Sequence, residues 1–140
     1  MRNKTRNNEL VARAFELLSS KEKSEYASNI FGKDGFIDKA YASQIAAFSV
    51  SVAMVGLKPT LAIYYQKNGS SVDTHNIVGL IAQMLASDGY PYAGKSPAEC
   101  FFKHAVSLPE KGKDAEDLRQ KVIDNAVALK VVVRTFLKGE

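Results

Sequence analysis

A chain of 140 residues has enough length for one buried core and too little for two ordinary domains. With 46% hydrophobic and 24% charged residues it falls outside the disordered, collagenous and coiled-coil-rod classes, and its single cysteine, Cys100, excludes an internal disulfide. Nineteen basic against fifteen acidic residues leave a net charge of +4, a mild lean toward polyanionic partners that falls short of a strong nucleic-acid binder.

The first thirty residues do not have the form of a signal peptide, so the cytoplasm is the expected compartment. Arg2, Lys4 and Arg6 read as a frayed basic tail over residues 1–7. Leu10, Ala14, Leu17 and Leu18 then mark the apolar stripe of a first helix. A short second helix spans roughly 21–31, turning Tyr26 and Ile30 inward, and Gly32 and Gly35 stop it. The uncharged run from Ala40 to Leu57 just reaches membrane length. Ser43, Gln44, Ser49 and Ser51 dilute it, which predicts a buried helix of a bundle, with Ala42, Ala46, Ala47 and Ala53 allowing close approach of neighbours. Gly56 is the expected stop of that helix, and Pro59 suits the first turn of a following one running to about Gln66. The short aromatic run Leu61–Tyr65 also fits a strand, and Asn68-Gly69 predicts a turn.

Ile77, Leu80, Ile81, Met84 and Leu85 mark another helix, ending near Gly89. Ser96-Pro97-Ala98-Glu99 carries a start signal: a serine cap, proline at the first helical position and a glutamate at the third. The last helix, from about Asp114, holds Leu118, Val122, Ala126, Leu129, Val133 and Phe136 in one apolar seam. The fold class predicted is all-α: a single-domain bundle of six or seven helices over residues 1–140.

Gly89-Tyr90-Pro91-Tyr92-Ala93-Gly94-Lys95-Ser96 fits the phosphate-cradling pattern G-x-x-x-x-G-K-[ST], which supports a nucleotide-binding alternative using Lys95 and Ser96. Its context differs, because the segment before it reads as a helix where that loop needs a buried strand, and Pro91 removes an N–H from the cradle. Cys100 and His104 are one helical turn apart, but no third orienting group or oxyanion donor accompanies them, and a core cysteine beside a surface or half-buried histidine explains the pair. Two histidines and one cysteine make no zinc spacing. Asp114, Glu116 and Asp117 are explained by the dipole at a helix start. The residues therefore predict no catalytic site, metal, cofactor or small-molecule substrate. A generic helical adaptor using the 118–136 seam is a further alternative.

Charge placement says more than the total. No acid lies between Asp38 and Asp73, where Lys39, Lys58 and Lys67 fall; none lies between Asp124 and Glu140, where Lys130, Arg134 and Lys138 stand four apart on one helical stripe. These six are the candidate residues for sequence-independent phosphate contacts.

Tyr41, a hydrophobic helix, then Val55-Gly56-Leu57-Lys58-Pro59-Thr60-Leu61-Ala62-Ile63-Tyr64 followed by Lys67 resembles the core signature of the small helical subunit of the type III-B CRISPR (Cmr) effector complex. Ala126-Val127-Ala128-Leu129-Lys130 with Val133-Arg134-Thr135-Phe136 is similar to that family's last helix. The chain departs from the family at Phe48–Ser51, where a proline is usual, and in having no tryptophan, so the related type III-A small subunit stays open. The resemblance implies a non-catalytic protein that stacks with copies of itself and with other effector subunits, and that contacts guide and target RNA in antiviral defence. Lys58, Lys67 and Arg134 match polar or basic family positions; Lys39, Lys130 and Lys138 rest on charge placement alone.

Overall fold

The computed structural model describes residues 4–66, 73–92, 94 and 96–137. Lys67, Lys95, Lys138 and the Asn68-Gly69 turn lie outside them. The described chain forms seven helices: α1 (Lys4–Ser19), α2 (Glu25–Ile30), α3 (Lys39–Met54), α4 (Leu57–Tyr64), α5 (His75–Ala86), α6 (Pro97–Ser107) and α7 (Lys113–Thr135). Among the described residues β-pairing is confined to two isolated bridges, Phe31 to Ile37 and Ile37 to Leu137. The all-α expectation holds, and no described helix is long and apolar enough to cross a membrane.

Helix α5 is apolar nearly all round, and Ile77, Val78, Leu80, Ile81 and Leu85 are all fully buried. A helix of that kind belongs at the centre of a bundle, and α1, α2, α4, α6 and α7 pack against it. The α7 seam closes the core, with Leu118, Val122, Ala126, Leu129 and Val133 buried against α1, α3 and α5. The seam is thus satisfied within this chain rather than left for a partner helix.

The most extensive helix pairing is α3 with α7. They run antiparallel: the Ile37 N–H donates to the Phe136 carbonyl at 2.9 Å at one end, and Arg119 donates to the Ala53 carbonyl at 2.9 Å at the other. Ala42, Ala46, Ser49 and Ala53 recur four, three and four residues apart, and such small side chains let the two backbones approach.

Local chemistry departs from expectation in three places. Helix α1 already runs from Lys4, so residues read as a frayed tail are helical. The second helix is only six residues, begun by Ser24, whose hydroxyl accepts the Ala27 N–H at 3.2 Å while donating to Gln83. By contrast, Leu61–Tyr64 belongs to α4, as the helix expected to run to about Gln66 requires, and is not a strand: the Tyr65 N–H bonds the Leu61 carbonyl, and Gly56, at φ +118°, caps α4 as well as ending the α3 segment. Ser96 occupies the cap of α6 without a capping bond; the Tyr26 hydroxyl accepts the Ala98 N–H at 3.3 Å in its place. A long-range side chain has taken the role the local motif assigns to serine.

Candidate nucleic-acid interface

Four of the six predicted cations lie on described residues. Lys39 is the first residue of α3 and is exposed. Arg134, also exposed, lies in the last turn of α7, with Lys130 half-buried one turn earlier. The antiparallel pairing of α3 with α7 therefore brings Lys39 and Arg134 to the same end of the bundle. Lys58, half-buried in the first turn of α4, lies beyond the other end of α3, a sixteen-residue helix roughly 24 Å long. The structure thus divides the predicted set between two ends, with Lys130 near the first.

Among the described residues none of Lys39, Lys58, Lys130 and Arg134 is in an ion pair, whereas Arg13 pairs with Asp88 at 3.3 Å, Lys103 with Glu99 at 3.6 Å and Arg119 with Glu116 at 2.9 Å. Neutralised cations contribute little to an external field; unpaired ones keep their attraction for anions.

At the Lys39 end, the 31–38 loop is built as a rigid turn. Gly32 N–H donates to the Phe36 carbonyl at 2.8 Å, and Gly35 N–H to the Gly32 carbonyl at 3.0 Å, with Gly35 at φ +83°. The Asp34 carboxylate accepts the Phe36 N–H at 3.0 Å and Asp38 that of Ala40 at 2.9 Å. Ile37 is buried and anchors the loop to α7. Behind it the rings of Phe15 and Phe31 pack on Phe136 at centroid distances of 5.9 and 5.4 Å, and Lys23 lies 5.1 Å from the Phe31 ring centroid. A cavity of about 320 Å³ is lined by Gly32, Asp34, Phe36, Ile37, Asp38 and Lys39.

The Lys58 end has a cleft of about 320 Å³ between the α3–α4 corner and the first turns of α7. Lys58, Lys111 and Arg119 line it together with Glu110 and Glu116. Arg119 is held by Glu116 and by the Ala53 carbonyl, which leaves Lys58 and Lys111 as the cations without an ion pair there.

Reasoning from sequence missed Lys33, Phe36 and Lys111. Lys33 and Phe36 stand among Asp34 and Asp38, outside any acid-free window, and Lys111 follows Glu110. A signal was present: Phe31-Gly-Lys-Asp-Gly-Phe36 sets a lysine between two phenylalanines on a glycine turn, the interleaving of rings and cations that single-stranded nucleic acid favours.

The other candidate chemistry does not assemble. The G-x-x-x-x-G-K-[ST] segment follows helix α5 rather than a strand, and its Tyr92 is fully buried with its ring against Phe101 and its hydroxyl 2.5 Å from His104 Nδ1. Burial, and secondarily Tyr90 and Cys100, hold the Tyr92 hydroxyl well above its ordinary pKa. Cys100 is exposed, not a core residue, because Ala98, Phe101 and Ala105 form the inward face of α6. His75 Nδ1 bonds the Tyr65 carbonyl. Among the described residues no group of three or more His, Cys, Asp and Glu is placed to hold a metal ion.

These features define an all-α bundle with cations at both ends that are in no ion pair among the described residues, and at one end a loop that carries Phe36 between Lys33 and Lys39. The chain matches no protein-family model, no curated protein and no solved structure.

Proposed function

We propose that the chain is a non-catalytic small subunit of a type III CRISPR ribonucleoprotein interference complex, stacking with neighbouring subunits and with copies of itself and contacting guide and target RNA in antiviral defence. The observation that carries this reading is that, among the described residues, Lys39, Lys58, Lys130 and Arg134 stand in no ion pair. Unpaired cations dispersed over two ends suit a brick that lends phosphate contacts to a shared RNA path; a protein that held RNA alone would gather them in one groove. The resemblance around Val55–Tyr64 and Ala126–Phe136 supplies the family, and the helical bundle agrees with it. Subunit contact is supported by apolar side chains left on the α3–α4 surface, where Met54 and Ile63 are 80% and 70% exposed.

The test is co-expression with the proteins encoded beside its gene. The chain is expected to co-purify with them and with a guide RNA. Reversing Lys39, Lys58, Lys130 and Arg134 to glutamate is expected to leave assembly intact, weaken target-RNA binding, and lower the salt slope of log K by about three, at ~0.7 per phosphate contact. A chain that enters no such complex, or a reversed complex that binds target RNA with unchanged affinity and slope, refutes the reading.

A further inference from the structure

We propose that Phe36 is a stacking platform for one unpaired nucleobase, with Lys33, Lys39 and Arg134 holding the flanking phosphates of a single-stranded RNA segment. The inference rests on the RNA reading above and names the strand form and the end of the molecule that it uses.

The ring is the first reason. Phe36 is 41% exposed, stands outside the hydrophobic core, and makes no ring contact among the described residues. Its neighbours Phe15, Phe31 and Phe136 pack against one another and so have a structural explanation that Phe36 lacks. Leaving such a ring in water forfeits the burial that usually justifies it.

Rigidity is the second. The turn bonds from Gly32 and Gly35, the Asp34 carboxylate on the Phe36 N–H, and the Ile37 anchor to the Phe136 carbonyl fix the backbone on both sides of the ring. A ring held in place before binding loses little entropy when a base stacks on it.

Charge complementarity is the third. Lys33 and Lys39 are exposed on either side of Phe36, neither in an ion pair among the described residues, and Arg134 precedes by two residues the Phe136 carbonyl that anchors the loop. The two loop aspartates each accept a backbone N–H of their own turn and keep their charge, so Lys33, Lys39 and Arg134 outnumber them by one. The cavity of about 320 Å³ bounded by Phe36, Asp34, Asp38 and Lys39 gives a base, which carries no charge, room beside the ring. An aromatic face flanked by cations takes any base and tracks the backbone electrostatically. Duplex RNA, whose bases are already stacked, offers it nothing.

The chain contains no tryptophan, so Phe36→Trp introduces a unique fluorophore. A single-stranded oligoadenylate is expected to quench its emission. Duplex RNA and inorganic polyphosphate are expected not to, and a Met54→Trp control at the opposite end of α3 should respond to none of them. In fluorescence anisotropy with labelled oligoadenylate, Phe36→Ala is expected to weaken binding about tenfold with the salt slope unchanged, since stacking releases no counterions. Lys33→Gln and Lys39→Gln should each lower the slope by about 0.7. If the wild-type chain binds the oligonucleotide but Phe36→Trp is not quenched, or Phe36→Ala binds as wild type, the platform is refuted while the RNA reading stands. If wild type binds no RNA either alone or in the co-expressed complex, both fall.

Discussion

Gly79 lies beneath the ring of Tyr26, and a Cβ there would meet ring carbons at 2.3 to 2.4 Å. The ring has little freedom to withdraw, because the Tyr26 hydroxyl also accepts the Ala98 N–H that begins α6. Gly79→Ala is therefore expected to destabilise the fold by about 3 kcal/mol in urea unfolding, at the upper end of ordinary overpacking costs, and Tyr26→Ala in the same chain should recover part of the loss. Close by, Arg13 donates to the Met84 carbonyl at 3.2 Å and pairs with Asp88, joining α1 to the end of α5, while Asn125 of α7 bonds both Asp88 and the Lys121 carbonyl. Removing Arg13 takes a charge partner from the Asp88 carboxylate, whose side chain is only 7% exposed. Arg13→Met is accordingly expected to cost about 3 kcal/mol, measured by the same unfolding midpoint. Tyr92 sets a pH dependence. Burial raises its pKa in the folded chain above the ordinary 10.0, so its contribution is fully present below pH 10 and is lost as pH rises from there toward the folded-state value. Stability should fall above pH 10, and Tyr92→Phe, which loses about 1 kcal/mol near neutrality with the His104 bond, should fall less steeply by about one proton.

Helices were legible where periodicity was long. The 118–133 seam and the 77–85 run both fold as their spacing requires, since a face of Leu and Val on a 3.6-residue period has one way to be buried. Short elements were not. Leu61–Tyr65 fits strand or helix by composition, and the helix wins because α4 begins on a hydroxyl network at the α3–α4 corner: Thr60 donates to the Gly56 carbonyl at 2.8 Å and lies 2.6 Å from the Ser51 hydroxyl. With Gly56 at φ +118°, a conformation costly to any residue with a side chain, Gly56→Ala is expected to lose about 1 to 2 kcal/mol and to loosen this corner, seen as faster amide exchange in α4. The cap of α6 carries the same lesson. Ser96-Pro97-Ala98-Glu99 correctly marks where the helix begins, yet the donor is satisfied by Tyr26, seventy-two residues away.

At the level of the whole molecule, +4 is distributed, not concentrated. Spacing along the chain placed Lys130 and Arg134 on one helical stripe, and that much survives folding because both belong to α7. The relation of Lys39 to Lys58 did not follow from spacing. Both fall in one acid-free window, but a sixteen-residue helix separates them and carries them to opposite ends. Salt dependence of RNA binding in the assembled complex should therefore divide: changes at Lys39 and Arg134 are expected to couple to Phe36, while changes at Lys58 should add independently, as sites more than about 10 Å apart do, which a double-mutant cycle measures.

By itself the sequence determined the fold class, the existence of the long helices, the buried seam of α7 and part of the set of cations that stand outside ion pairs among the described residues. These depend on local periodicity and on residues whose charge keeps them near water. Only the tertiary structure decided that α3 and α7 run antiparallel, that Tyr26 caps α6, that Cys100 is exposed, and that Phe36 stands on a loop anchored to the end of α7 and lines a cavity with Lys39. Each of these sets side by side groups that are distant in the chain or differ in which face of an element they occupy. That is fixed by how apolar faces pack against one another, not by any stretch of sequence alone.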